Sequence, residues 1–339
     1  MRLQWVELTP SYRCNNACLG CFASTPRQEF LVGPEADASS ARREERRVPE
    51  ARERRATPLG DADANGTEMS DRVALDALTA GRRDGATGLW LGGGEPTLSR
   101  STLRLAHAAR RLGYARVKLQ TNGMMLAYPE YAQRCRDAGV TEVAFSIKGA
   151  SAATHDRLAR TEGCFDLMRR GIANCRALGM DLEGDILLYR SNAHELPDIV
   201  GDHIPLGLKR FRAWMLTATD PAARDEAPRF GDVTPHLAIA LARLPPDAAP
   251  DALLSLHTPP CTLPAGCERA RFYAPDLALR VVNPDGRAFM LQDSPMEGGA
   301  FLPGCAGCAL RPRCNGLRQD YLDRFGPEAF VPLPALTGL

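Results

Sequence analysis

The sequence has no long hydrophobic run and almost no net charge. Its 42 Lys and Arg residues nearly balance 41 Asp and Glu residues, so the formal net charge is +1. A near-neutral chain creates no overall field that would attract nucleic acid or a membrane surface, and neither partner is expected. Because apolar runs of membrane-spanning length and a signal-peptide pattern are both missing, the sequence predicts a cytoplasmic protein without a membrane span.

Histidine clusters and disulfide-like cysteine patterns are also missing. The six histidines are scattered, and seven of the eleven cysteines stand at positions typical of metal ligands. In a chain of 339 residues this pattern indicates reduced, metal-bound cysteines more than a disulfide framework. A hydrophobic content of 44% and a charged content of 24% are typical of a soluble globular protein with a sizeable core.

Three cysteines near the N-terminus are the strongest functional signal. Cys14, Cys18 and Cys21 have the spacing C-x3-C-x2-C, and the next cysteine is Cys135. Iron–sulfur clusters usually have four thiolate ligands, so three would leave one iron of a [4Fe–4S] cluster open to another ligand. A structural zinc site is the alternative, but zinc normally requires four protein ligands.

Strands and helices are predicted to alternate along most of the chain. This alternation indicates parallel strands joined by helices, and six such units predict an α/β fold of the partial (β/α)6 barrel type, with the functional site at the carboxyl ends of the strands. The predicted strands are 3–8, 88–91, 115–120, 142–146, 182–189 and 209–216. The predicted helices are 70–82, 99–112, 126–138, 164–178, 194–203 and 233–243.

Composition divides the remainder of the chain. Residues 31–67 are rich in Ala, Arg, Glu and Pro and are predicted to form a mobile insertion, with an RNA-binding arm as the alternative. A hairpin is predicted over 277–290 because Asn-Pro-Asp-Gly lies between two apolar runs. The predicted domains are a core of 1–245 and a cysteine-rich appendage of 246–339.

Several loop motifs follow the predicted strands. Glycines after the second strand would let the backbone approach a ligand closely. Together with the cysteine triplet, these motifs resemble the radical S-adenosylmethionine (radical SAM) superfamily over residues 3–216. The motifs are Gly92-Gly-Gly-Glu-Pro-Thr97, Thr121-Asn-Gly123, Ser146-Ile-Lys-Gly149 and the segment Thr154–Phe165.

The resemblance implies an enzyme. A [4Fe–4S] cluster on the three cysteines would bind SAM and reduce it, giving a 5′-deoxyadenosyl radical that abstracts hydrogen from a substrate. By the same resemblance, Gly93, Gly94 and Glu95 would bind the amino group of SAM and Ser146 its ribose. Arg160 is the candidate for the SAM carboxylate, because a guanidinium pairs with a carboxylate through two hydrogen bonds.

Three further cysteines occur near the C-terminus. Cys305, Cys308 and Cys314 have the spacing C-x2-C-x5-C, which resembles the SPASM domain and its shorter twitch form. The resemblance implies one auxiliary [4Fe–4S] cluster, with a fourth ligand from Cys261 or Cys267. Cys261 is preferred because it follows two prolines, and zinc is the alternative metal.

Two positions depart from the family pattern and bear on the substrate. Gly20 stands where an aromatic residue is common, and Lys148 stands where Asp is frequent. A positive charge near the substrate entrance would favour an anionic substrate. Because the triplet begins at residue 14, the chain offers no room for a preceding peptide-recognition domain.

The expected function is therefore the modification of a small molecule such as a sugar, a nucleoside or another anionic metabolite in a bacterial biosynthetic pathway. An electron donor such as flavodoxin or ferredoxin is expected as a partner. The alternatives are maturation of a ribosomally made peptide, modification of RNA, and a non-catalytic iron–sulfur or zinc protein that senses redox state or binds a partner.

Overall fold

The computed structural model describes residues 2–21, 68–217, 221–294 and 296–333. The predicted insertion, residues 31–67, lies outside these residues. Within the described ranges, nine strands form one sheet. The strands are β1 (Trp5–Leu8), β2 (Gly88–Leu91), β3 (Arg116–Thr121), β4 (Glu142–Ile147), β5 (Asp181–Leu188), β6 (Leu208–Met215), β7 (Leu253–Leu256), β8 (Leu279–Val282) and β9 (Ala288–Met290).

Helices connect the successive parallel strands. Local capping explains where two of them begin, because Ser70 and Ser151 each accept a hydrogen bond from a backbone N–H three residues later. The helices are α1 (Asp71–Arg83), α2 (Thr102–Arg111), α3 (Pro129–Asp137), α4 (Ala152–Ala159), α5 (Cys164–Ala177), α6 (Leu196–His203), α7 (Phe230–Arg243), α8 (Ala274–Leu277) and α9 (Gln319–Phe325). The predicted helices and the six predicted strands are confirmed, with boundaries shifted by a few residues.

The sheet is open and mostly parallel, as in a partial barrel. Its strand order is β7-β6-β5-β4-β3-β2-β1-β8-β9, and only β8 and β9 pair antiparallel. The partial-barrel prediction is confirmed for β1 to β6, but the sequence analysis missed β7. The predicted hairpin forms as β8 and β9, and β8 pairs in parallel with β1. The sheet thus continues past residue 246, while the division into two domains stays a prediction.

Charged side chains fill the inner face of the sheet below the strand ends. Glu183 on β5 lies 3.1 Å from Lys118 Nζ, 3.3 Å from Arg210 Nε and 3.5 Å from Arg212 Nε. These neighbours compensate the burial of the carboxylate and lower the pKa of Glu183. Lys118 also lies 4.3 Å from the centre of the Trp90 ring. This ion-pair layer closes the lumen from below and leaves the space above it open to a ligand.

The outer face of the sheet packs against the helices. Apolar residues from β1 to β6 and from the helix faces form one continuous buried core. A helix with both the length and the apolar character needed to cross a membrane does not occur within the described ranges.

Candidate active site

A cavity of about 320 Å³ opens at the carboxyl ends of the strands. This is the end of a parallel barrel at which ligands usually bind. The cavity brings together most of the residues singled out from the sequence. It is lined by Cys14, Cys18, Cys21, Gly93, Gly94, Glu95, Ser146 and Lys148.

The three cysteines lie on the loop that follows β1, here called the cysteine loop (residues 9–21). Backbone hydrogen bonds hold this loop from two sides: Gly94 N donates to Ser11 O at 2.9 Å, and Leu19 N donates to Leu158 O at 3.1 Å. The Tyr189 hydroxyl also donates to Leu19 O at 2.7 Å. The loop is therefore fixed by the loop after β2, by the end of α4 and by the end of β5.

Gly20 explains one departure from the family pattern. Its φ of +72° lies in the left-handed region, where residues with a Cβ are strained. A Cβ at this position would lie 2.3 Å from Leu216 Cδ1. Leu216 thus occupies the space beside the loop, and a larger residue before Cys21 does not fit.

Gly93 and Gly94 bring the loop after β2 against the cysteine loop. A Cβ on Gly94 would lie 2.3 Å from the Arg13 carbonyl oxygen, and a Cβ on Gly93 would lie 2.4 Å from Thr9 Cγ2. Gly93 also has a φ of +98°. Only glycine permits this close approach of the two backbones, so these glycines set the distance between the cysteines and the second loop.

Glu95 is buried at the junction of β2 and β3. Its Oε1 accepts hydrogen bonds from Thr97 N, Thr97 Oγ1 and Thr121 Oγ1, at 3.0, 2.6 and 2.7 Å. Its Oε2 accepts one from Asn122 N at 2.8 Å, which leaves Oε2 able to accept another. Burial raises the pKa of Glu95, although these hydrogen bonds oppose the shift. Glu95 holds the turn after β3 in place, and its role at the SAM amino group stays a prediction.

Lys148 and Arg160 lie in different environments. Lys148 is buried, lines the cavity and makes no ion pair with a carboxylate of the described residues. Burial alone would lower the pKa of Lys148, but the charges of the three loop cysteines raise it. Arg160 is exposed beyond the end of α4 and does not line the cavity. Lys148 therefore lies in the cavity near the cysteine loop, and the anionic substrate stays a prediction.

Two carboxylates that the sequence analysis did not single out form the floor of the cavity. Glu7 on β1 and Asp185 on β5 both line it. Burial, together with the charge of Asp185, raises the pKa of Glu7 to about 7. Burial and the charge of Glu183 raise the pKa of Asp185. A signal for Glu7 was present, since an acidic residue interrupts the apolar strand Trp5–Leu8 and must face the lumen.

The structure also brings together four of the C-terminal cysteines. Burial and the charges of Cys314, Cys308 and Cys305 raise the pKa of the Cys261 thiol to about 11. Cys267 is buried in the hydrophobic core, and the charged groups that affect it include no cysteine. Cys261 is thus the one of the two that interacts electrostatically with the other three cysteines, and its role as the fourth ligand stays a prediction.

Both cysteine groups have the donor chemistry of iron–sulfur clusters. In the described part of the chain, no three His, Cys, Asp or Glu side chains converge closely enough to hold a single metal ion. Each thiolate of a [4Fe–4S] cluster binds a different iron, so its ligands are spread around the cluster. The buried Asn16 Oδ1 also lines the cavity and has no hydrogen-bond partner among the described residues. The residues present therefore fit a three-thiolate and a four-thiolate cluster.

Comparison with curated proteins gives relatives over part of the chain. The AdoMet-dependent heme synthase of Nitratidesulfovibrio vulgaris is 30% identical over 131 residues, which are 39% of this chain and 35% of that protein. The PqqA peptide cyclase of Methylorubrum populi is 26% identical over 151 residues, which are 44% of this chain and 38% of that protein. The matches span little more than a third of these relatives' length.

Comparison with solved structures supports the fold. The structure of native anSMEcpe with bound AdoMet and Cp18Cys peptide aligns with 71% of this chain and 59% of that chain, with a TM-score of 0.50 and 15% identity. The family model of the radical SAM superfamily matches residues 8–202, which include the cysteine loop and the cavity-lining ends of β1 to β5. The chain belongs to the radical SAM superfamily, whose members use a [4Fe–4S] cluster and SAM.

Proposed function

We propose that this protein reductively cleaves SAM to a 5′-deoxyadenosyl radical and uses it to abstract hydrogen from a small molecule in a biosynthetic pathway. The observation that carries the proposal is the shared cavity: the three loop cysteines, the Gly93–Glu95 loop and polar strand residues all line it. A non-catalytic sensor has no need for such a cavity beside three thiolates.

The cysteine loop would hold the cluster with one iron open. When bound, the cluster supplies the electron that splits SAM, and SAM supplies the radical. Cys14, Cys18 and Cys21 would each bind one iron, while Gly93 and Gly94 keep the second loop close to them. Ser146 at the end of β4 would face the ribose.

We assign the SAM carboxylate to Lys148 in place of Arg160. Lys148 lies in the cavity beside the cysteine loop, and it has no carboxylate partner among the described residues. A buried ammonium without a partner is costly, and a ligand carboxylate would compensate it. Arg160, which is exposed, would need a rearrangement to reach the same group.

A second cluster on Cys261, Cys305, Cys308 and Cys314 would complete the protein's cofactors. Near Cys314, His257 Nε2 lies 3.3 Å from Glu297 Oε1. These two side chains line both the main cavity and a small pocket that contains Cys314. In this proposal the two side chains would lie between the substrate and the second cluster. An external flavodoxin or ferredoxin is proposed as the electron donor.

A peptide substrate is the second candidate. One observation favours it: a relative of this chain is a PqqA peptide cyclase. A cavity of about 320 Å³ that must also hold part of SAM can admit one peptide side chain or one small molecule. Cross-linking or cyclisation of a co-encoded precursor peptide would establish this candidate over the first.

The test is the formation of 5′-deoxyadenosine. The protein is reconstituted anaerobically with iron and sulfide, then incubated with dithionite and SAM. Wild type and Cys175→Ala, which removes a buried thiol from α5, should both form the product. A Cys14/Cys18/Cys21→Ala variant should form none. If the triple variant forms as much product as wild type, the proposal is wrong.

A further inference from the structure

The floor of the cavity carries an unsatisfied carboxylate. Asp185 is 4% exposed, and its Oδ2 has no hydrogen-bond partner among the described residues. Its Oδ1 accepts a long hydrogen bond from Trp214 Nε1 at 3.3 Å. Leaving a buried carboxylate oxygen without a donor is unfavourable. The cavity therefore lacks a donor at the position of Oδ2.

A second carboxylate lies in the same floor. Glu7 lines the cavity, and no described side chain or backbone group donates a hydrogen bond to it. Its Oε1 lies beside Gly92, 3.0 Å from the position that a Cβ on Gly92 would take. Gln120 Oε1 lies 3.3 Å from the same position. The oxygen of the Gln120 amide accepts a hydrogen bond from Trp90 Nε1 at 3.1 Å, which fixes the orientation of this amide. The floor thus presents two acceptor-only groups that the protein itself does not satisfy.

The cationic side chains below the floor do not donate hydrogen bonds to Asp185 or Glu7. Lys118 donates its hydrogen bond to Glu183, and Arg212 lies between Glu183 and Asp251. Among the described residues, neither forms a salt bridge with Asp185 or Glu7. Their charges do lower the pKa of Asp185, but burial and the charge of Glu183 outweigh them, so that its pKa is raised. The charge of Lys118 thus acts on both Asp185 and Glu7, but neither carboxylate has a salt-bridge partner among the described residues.

Another buried acceptor in the cavity also lacks a hydrogen-bond donor. Asn283 Oδ1 lines the cavity without a partner among the described residues. An amide can exchange its oxygen and nitrogen by rotation, whereas an ionised carboxylate offers no donor in any orientation. Asp185 is therefore the decisive group.

The wall beside the floor is apolar. Side chains from α8, β8, β9 and the turn that follows line it. They are Leu277, Leu279, Val281, Phe289 and Leu291. A ligand that fills this cavity thus meets an acidic floor and an apolar wall, a combination that suits an apolar body with a cationic end.

We propose that Asp185, assisted by Glu7, binds an ammonium group of the substrate. An ammonium supplies several donors and a positive charge, which a neutral hydroxyl does not. Asp185 lies opposite Ser146 in the register of β4 and β5. This inference rests on the proposed function, because Ser146 is the residue assigned to the ribose of SAM. It replaces an anionic substrate by a cationic one.

The experiment measures probe binding to the full chain with clusters reconstituted and SAM bound. The probes are benzylammonium, benzyl alcohol and benzoate, which share an apolar ring and differ in charge. Titration calorimetry at about pH 7.5 should show benzylammonium binding at least about tenfold more tightly than benzyl alcohol, a difference of about 1.4 kcal/mol. Benzoate should bind the most weakly.

Variants test whether Asp185 and Glu7 cause the preference for benzylammonium. Asp185→Asn keeps the shape and an acceptor for Trp214, and it should remove the preference for the ammonium probe. Glu7→Gln should weaken it by a smaller factor, which keeps the test valid if one variant fails to fold. Asp76→Asn removes an exposed carboxylate on α1 and should leave the preference unchanged.

The inference is overturned if the folded wild type binds the alcohol or benzoate as tightly as benzylammonium, or does not bind benzylammonium. It is also overturned if both floor variants keep the full preference. The formation of 5′-deoxyadenosine is measured on the same preparations. If SAM is cleaved but the probes bind without a charge preference, only this inference is wrong. If the charge preference is found but SAM is not cleaved, only the proposed function is wrong.

Discussion

At the scale of single residues, the cavity separates groups that the protein satisfies from groups that it leaves for a ligand. Glu95 is the first kind, since four hydrogen bonds from two strand ends converge on its carboxylate. Asp185 and Lys148 are the second kind, because both are buried and neither forms a salt bridge with another described side chain. Substitutions of Asp185 or Lys148 should therefore affect ligand binding more than folding.

Replacing Lys148 should weaken SAM binding. Lys148→Met keeps the length of the side chain and removes its charge, so the SAM carboxylate would lose a charge-assisted hydrogen bond. We expect about tenfold weaker SAM binding, measured by equilibrium dialysis with the reconstituted protein. Arg160→Met is the matched control and should change SAM affinity by less than about twofold, as expected for an exposed side chain. The assignment is wrong if the two effects are reversed at equal iron content.

Cys261 and Cys267 provide a test of the second cluster. Two [4Fe–4S] clusters predict about eight irons per chain. Cys261→Ala should lower the iron content to about four, because a cluster with one thiolate missing is lost more readily. Cys267→Ala should keep about eight, since Cys267 packs in the core. Iron and zinc are measured in all three proteins. A wild type with about four irons and one zinc per chain would identify the second site as a zinc site instead.

Glu7 predicts a pH dependence of stability. Its folded-state pKa of about 7 lies above the value of 4.5 for a free side chain, so the folded state binds more protons between these values. Stability is therefore lost as the pH rises through this range. Glu7→Gln should remove that loss and gain roughly 2 kcal/mol relative to wild type between about pH 5 and pH 8, somewhat less than a fully buried group would give.

Urea unfolding of the two proteins at both pH values measures this difference, with Asp76→Asn as the control that should follow wild type. A constant difference between Glu7→Gln and wild type at both pH values would show that Glu7 titrates normally in the folded protein.

At the scale of elements, the loops after β1 and β2 act as a unit. Backbone hydrogen bonds join them, from Gly94 N to Ser11 O and from Glu95 N to Arg13 O, at 2.9 and 2.7 Å. The loop after β3 joins the pair through Asn122, whose side-chain amide donates to Asn15 Oδ1 at 2.7 Å. The position of the cysteines is therefore set by three strand ends and not by the cysteine loop alone.

A methyl group at Gly94 should separate these loops. Gly94→Ala places a Cβ against the Arg13 carbonyl, and backbone cannot move away as a flexible side chain can. We expect the iron content to fall from about eight to about four, with the loss confined to the cluster of the cysteine loop. Gly231→Ala is the matched control, because nothing lies within 4 Å of its Cβ position in α7. It should keep the iron and gain up to about 1 kcal/mol of stability.

The sequence predicted the elements that repeat a pattern and missed those that depend on tertiary contacts. Strands β1 to β6 were predictable because they alternate with helical segments along the chain. Strand β7 is only four residues long and follows a Pro- and Ala-rich segment, so its pairing with β6 decides its conformation. The hairpin was predicted, but nothing local indicates that β8 pairs with β1.

The same distinction holds at the candidate site. The cysteine triplet and the glycine loop are local motifs, and the cavity contains both. Asp185 and Lys148 are distant in sequence from the triplet, and only the order of the strands in the sheet brings them into one cavity. The environment of Arg160 was not predictable either, because the end of α4 turns it towards solvent.

At the scale of the whole molecule, the barrel is closed at one end and open at the other. Ion pairs around Glu183 fill the lumen below, and the cysteine loop, the acidic floor and the wall of β8 and β9 surround the space above. Under the proposed function, SAM and substrate bound in this cavity would exclude water and so protect a reactive radical from side reactions. Cys314 lines a small pocket that shares His257 and Glu297 with this space.

The central claim is that the cluster of the cysteine loop has an open iron facing the cavity. The most direct test is the EPR spectrum of the reduced protein with and without SAM, in a Cys305/Cys308/Cys314→Ala variant that lacks the second cluster. The account predicts a [4Fe–4S] signal that changes when SAM is added, because SAM binds the open iron. A [4Fe–4S] signal that stays the same at saturating SAM would contradict it.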